Sequence, residues 1–230
     1  MASIPAAPGL GDVEHFRPWY RTYVRPHPYF AVGHVLIVAT SLLVAGTYAA
    51  NRLQDVMMLE LVTIPVWLVL GSAFVYWFHK HVLHRPTRFL YFAYRKHTLE
   101  HHRFFDYEHI TRDEVDDLHA MLFPYWTAPL LCVLSYGVSL LLTPILGSNV
   151  AHLSMLMMTV YFAAYEFVHT VDHLPDQNIL ARLPILRFLR QHHRLHHDPP
   201  LMGKYNFNVV IPLVDPLLGA FTRRRPSWPL

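Results

Sequence analysis

Apolar and polar positions alternate on a long scale: four long apolar runs are separated by two very short polar connections and one long basic segment. A bilayer core about 30 Å thick needs roughly 20 helical residues to cross it. Residues 31–50, 57–78, 121–146 and 150–168 reach or nearly reach that length. The third run holds Pro124, Pro129 and Pro144, which predicts a late start, a kink or a re-entrant shape. The connections 51–56 and 147–149 are short, so the runs pair as two hairpins and each hairpin returns to the side it left. The pattern predicts an all-α integral membrane fold with four transmembrane helices in two hairpins. As one domain it comprises an N-terminal interfacial segment (1–30), a first hairpin (31–78), a histidine segment (79–120), a second hairpin (121–168) and a C-terminal histidine segment (169–230).

Charge orients this layout. Eighteen of the nineteen Lys and Arg residues fall on the side of the termini, with Arg52 alone on the other, and the positive-inside rule makes that side cytoplasmic. The host membrane would be a bacterial inner membrane or the endoplasmic reticulum. A content of 53% hydrophobic and 14% aromatic residues is too apolar for an ordinary soluble protein of this length. No nucleic-acid partner is expected. Arg17, Trp19, Tyr20, Arg21, Tyr23 and Arg25 mix aromatic and basic groups ahead of the first run, a composition suited to the headgroup layer. From Asp106 to His119 six acids accompany Ile110, Val115 and Leu118 at helical spacing, which predicts an amphipathic helix. Cys132 is the one cysteine, so a disulfide framework, a cysteine zinc site and an iron–sulfur cluster are excluded.

Histidine changes the picture most, because 18 of them nearly equal the 19 basic residues. The second apolar run ends in His79, His81 and His84, followed by His97, His101 and His102; the fourth ends in His169 and His173, followed by His192, His193, His196 and His197. Residues four apart share a helix face, so His97 with His101, and His169 with His173, can each aim two rings at one region. His102 and His197 widen their clusters by about 100° of rotation. His79 and His84, five apart, diverge on an ideal helix and require a distorted helix end, for which Pro86 gives a reason. Neutral imidazole suits iron, zinc, copper and nickel. Ten histidines shared by two ions exceed what tetrahedral zinc needs and favour a redox metal of high coordination number, iron above all. Zinc can replace it in a purified sample, since imidazole does not select iron by affinity.

His15, His27, His34, His109, His119 and His152 are expected to be ordinary hydrogen-bonding residues, while His81 and His192 are each able to replace a neighbour as ligand. Glu166, Asp172 and Asp198 are candidates to receive the free N–H of a ligating ring; capping or solvated charge is the competing reading for the last two. Asp215 and Asn206 could steady the C-terminal segment. Phe74, Tyr76, Trp77, Phe162 and Tyr165 precede the histidine pairs and are candidates to line a substrate path or to pack.

At these motifs the chain resembles the membrane fatty acid hydroxylase superfamily. The resemblance covers roughly residues 78–219 and rests on His79 and His84 in WFHKHVLH, His97, His101 and His102 in KHTLEHH, His169 and His173 in FVHTVDH, and His193, His196 and His197 in HRLHHDP. It implies a four-helix membrane core under a cytoplasmic helical cap carrying a ten-histidine dimetal site, and oxygen-dependent hydroxylation of a lipid at di-iron. Dioxygen would be the co-substrate. The chain lacks a glycine-rich dinucleotide fingerprint, so two electrons must come from a separate donor such as cytochrome b5 or a ferredoxin. A membrane desaturase and a non-catalytic metal-binding membrane protein are the alternatives.

Overall fold

The computed structural model describes residues 5–9 and 11–225, and among the described residues it is all helical with no strand. In chain order the helices are α1 (Val13–Tyr23), α2 (Ala31–Asn51), α3 (Thr63–Phe78), α4 (Tyr91–Tyr94), α5 (His102–Phe104) and α6 (Leu118–Met121). There follow α7 (Thr127–Leu146), α8 (Ser148–Asp172), α9 (Ile179–Arg182), α10 (Pro184–His196) and α11 (Val214–Leu217). Two π-helical turns, His79–Leu83 and Arg95–His101, continue α3 and join α4 to α5. Four helices are long and apolar enough to cross a membrane: Ala31–Asn51, Glu60–Leu83, Thr127–Leu146 and Ser148–Asp172. The third starts late, at Thr127, whose amide bonds to the Pro124 carbonyl at 2.8 Å. The chain divides into two compact units, one built from Phe30–Ala73 and Leu122–Phe167 and the other from the remaining segments.

In the first of these units α2 buries Val38, Leu42, Ala45 and Ala49 and exposes Val32, Leu36, Leu43 and Val44. Its buried stripe packs on Ala128 and Cys132 of α7 and Met155 of α8, and small residues let the helix backbones approach closely. Gly71 of α3 does the same against α8: a Cβ there would lie 2.8 Å from the Tyr161 ring. Next to it the Ser72 and Tyr161 hydroxyls meet at 3.1 Å. The two short connections bond to each other, since Asn149 accepts from the Gln54 amide and donates to the Gln54 carbonyl and the Glu60 carboxylate.

The second unit gathers α1, both π turns, α4–α6 and α9–α11. Its N-terminal helix departs from the expected headgroup anchor, for Phe16, Arg17 and Tyr20 are buried. Arg17, Arg21 and Arg25 pair with Asp113, Asp117 and Glu114. The amphipathic helix expected over residues 106–119 does not form. Residues 105–114 are irregular, followed by a 3-10 turn (Val115–Asp117) and α6. The Arg17 guanidinium takes the carbonyls of Phe104, His109 and Thr111, so the backbone acceptors a helix would use bond to a side chain instead.

Candidate metal centre

The histidines come together through departures from α-helical winding. On an α-helix a residue five positions on is roughly 140° out of line. Both π turns bond i to i+5, His84 N–H to His79 O and His102 N–H to His97 O, and this wider turn brings rings five apart onto one side. His79, His84, His97, His102 and His196 form one set whose nitrogens lie within 4.8 Å of one another. A second set of equal tightness contains His101, His173, His193 and His197. His169 adjoins it, with Nε2 at 3.2 Å from Nε2 of His101. His97 and His101, expected to aim at one region, stack at 5.3 Å between centroids but serve different sets. The π turn pairs His97 with His102 instead. On α10, the four-residue spacing puts His193 and His197 together and sends His196 to the other set.

Five of the rings have their outer nitrogen held by the backbone. Nδ1 of His79 donates to Phe207 O at 2.6 Å, His101 to Ala120 O at 2.9 Å and His173 to Ile110 O at 2.7 Å. His196 donates to Tyr205 O at 2.8 Å and His197 to Phe105 O at 2.7 Å. The Thr98 hydroxyl gives its proton to Leu83 O, so at His84 the ring Nδ1 is the donor and Thr98 Oγ1 the acceptor. A neutral imidazole carries one proton. The Nε2 atoms of these six rings are therefore bare lone pairs, yet two of them meet at 3.1 Å in His101–His197 and at 2.9 Å in His84–His196. Two lone pairs at that distance repel unless a cation lies among them.

A proton does not fill that role readily. Burial, reinforced by neighbouring imidazoles, holds His84, His97, His102, His173, His193, His196 and His197 well below the ordinary imidazole range. Burial pushes His101 down to about 4. The rings are neutral ligands at neutral pH, and each set fits a metal ion.

The chain matches the fatty acid hydroxylase family over residues 64–220. It belongs to that family. No curated protein and no solved structure matches it. All ten of the histidines lie inside the matched segment of this family member.

Other candidates find different places. Asp198 is ion-paired with Arg225 at 2.8 Å rather than facing a ring. Asp172 is fully buried at the end of α8, with its backbone carbonyl on Arg190. Glu166 lies in the bundle unit, buried near the Phe123 amide. The oriented rings thus use carbonyl or hydroxyl oxygens, which no sequence motif announces. His192 stands outside both sets and bonds to buried Asp215 at 3.1 Å. His81 tilts against Trp77 at 6.2 Å. His15, His27, His34, His109, His119 and His152 hydrogen-bond to Asp12, Arg21 O, Phe123 O, Asp106, Tyr20 and Ser148 O. Tyr76 packs on Phe207, while Phe162 and Tyr165 pack against Phe123. Phe74 and Trp77 remain exposed.

Proposed function

We propose that this member of the fatty acid hydroxylase family is a membrane-bound lipid hydroxylase with one iron ion in each histidine set. The observation that carries the reading is the convergence of bare Nε2 atoms in two adjacent sets, each containing a pair that only a cation reconciles. His79, His84, His97, His102 and His196 would hold one ion, and His101, His169, His173, His193 and His197 the other. Once bound, iron would supply the oxidising power that no side chain has, drawing on dioxygen and two external electrons.

The chain's own residues would fix and shield that centre. Backbone acceptors lock the tautomer and aim of five of the rings before any ion arrives. Nine of the ten rings are buried and His84 alone is partly open, so water is kept from the centre and His84 marks the side from which substrate would approach. Apolar spans suit a substrate delivered from the bilayer, with the four helices as two hairpins and the histidine segments as a cytoplasmic cap. The electron donor would be a separate acidic protein such as cytochrome b5 or a ferredoxin. A groove of about 700 Å³ lined by Arg182, Arg187, Arg190 and Arg194 runs beside α10, which carries His193 and His196, and such a surface attracts acidic partners.

The test compares, by mass, lipid extracts of cells expressing the wild type with a redox partner and cells expressing His101→Ala. A lipid that gains one oxygen atom only with the wild type is the expected result. Loss of two hydrogens would replace hydroxylation by desaturation, and identical extracts would contradict both.

A further inference from the structure

The two histidine sets take their backbone acceptors from different stretches of chain. His173 and His197 lean on the carbonyls of Ile110 and Phe105. Both stretches around those carbonyls are clamped by one side chain. Arg17 donates to Phe104 O at 2.9 Å, next to Phe105, and to His109 O at 2.7 Å and Thr111 O at 2.8 Å, on either side of Ile110. Its third arm reaches both oxygens of Asp113 at 2.9 Å. Arg17 is itself buried and lies outside the family-matched residues 64–220.

His79 and His196 lean instead on Phe207 O and Tyr205 O. That stretch is held by Asp215, which accepts the amides of Phe207 at 2.9 Å and Asn208 at 3.0 Å and the His192 ring at 3.1 Å. Asn206, between the two carbonyls, completes the clasp with bonds to His192 O, Thr222 O and Thr222 N–H.

We propose that Arg17 and Asp215 are separate positioning residues, Arg17 setting the metal affinity of the His101, His173, His193 and His197 set and Asp215 that of the His79, His84, His97, His102 and His196 set. The inference rests on the two-ion reading above. A guanidinium can bridge three carbonyls and a carboxylate at once because its five donors lie in one rigid plane, and a lysine ammonium cannot reproduce that span. Loss of such support around ligating rings lowers metal affinity by roughly 10- to 100-fold.

The experiment loads detergent-purified full-length protein with ferrous iron without oxygen, at a concentration just sufficient to saturate the wild type, and counts ions per chain after gel filtration. Two ions in the wild type, one in Arg17→Lys, one in Asp215→Asn and none in the double variant is the expected pattern. A purely structural role predicts instead that either substitution removes both ions together with the helical circular dichroism. Single variants that keep two ions, lose both while folded, or leave one ion in the double variant overturn the proposal. A wild type that does not hold two ions overturns the two-ion reading itself, and the proposal with it. If Arg17→Lys does not fold, Asp113→Asn weakens the same clamp from its exposed end; faster chelator removal of one of the two ions is then expected, and unchanged removal refutes the assignment.

Discussion

An imidazole that gives its Nδ1 proton to a carbonyl has a lone pair at Nε2 and no way to satisfy a neighbouring one. Five rings here are fixed in that state by carbonyls of Phe105, Ile110, Ala120, Tyr205 and Phe207. The arrangement has a pH signature in the metal-free protein. An unfolded chain protonates its histidines near pH 6.5, whereas buried His101 takes a proton only near 4. Between those values the unfolded state binds more protons, so stability is complete above about 6.5 and is lost as pH falls towards 4. His101 alone accounts for roughly 3 kcal/mol of that loss by pH 4. Thermal melts of metal-free protein should therefore drop steeply between pH 7 and 5, and a flat profile would contradict the buried neutral state. That these histidines gather was legible in their clustering along the chain, and the structure brings nine of the ten expected rings into two sets with His169 alongside. Their hydrogen-bond acceptors were not legible, because a backbone carbonyl leaves no mark on the sequence, and the carboxylates that did stand out include Asp198, which Arg225 occupies.

At the scale of elements, winding decides which rings meet. The five-residue gap between His79 and His84 signalled a distorted helix end, and the π turn His79–Leu83 is that distortion. The same gap between His97 and His102 went unread because the four-residue spacing to His101 offers an ordinary helical explanation. The segment 106–119 misled for a related reason: its helical periodicity is real, but Arg17 and Arg21 draw its carbonyls and carboxylates into a clamp. Helix packing in the bundle gives a separate test. Gly71→Ala would push the Tyr161 ring from its place, where a Cβ comes within 2.8 Å, and disturb the Ser72–Tyr161 contact. A cost of about 1–3 kcal/mol is expected, read as a lower unfolding temperature in detergent. The control Gly137→Ala, where nothing lies within 4 Å, should leave that temperature unchanged or slightly raised, since alanine is the better helix former.

Across the whole molecule, hydropathy located all four spans, with ends that differ by up to about six residues, because about 20 apolar positions in a row have few other uses. Long-range pairing was beyond it. That α2 buries its small residues on α7 and α8, or that Asn149 ties the two short connections together, depends on contacts some 90 residues apart in sequence. Two sets of imidazoles, drawn from segments spread over more than half the chain, are proposed to hold one iron ion each. Anomalous diffraction from crystals of iron-loaded protein, recorded on either side of the iron absorption edge, tests this most directly. Two iron peaks are predicted, one among His79, His84, His97, His102 and His196 and one among His101, His169, His173, His193 and His197. A single peak, or iron bound away from these rings, would contradict the account.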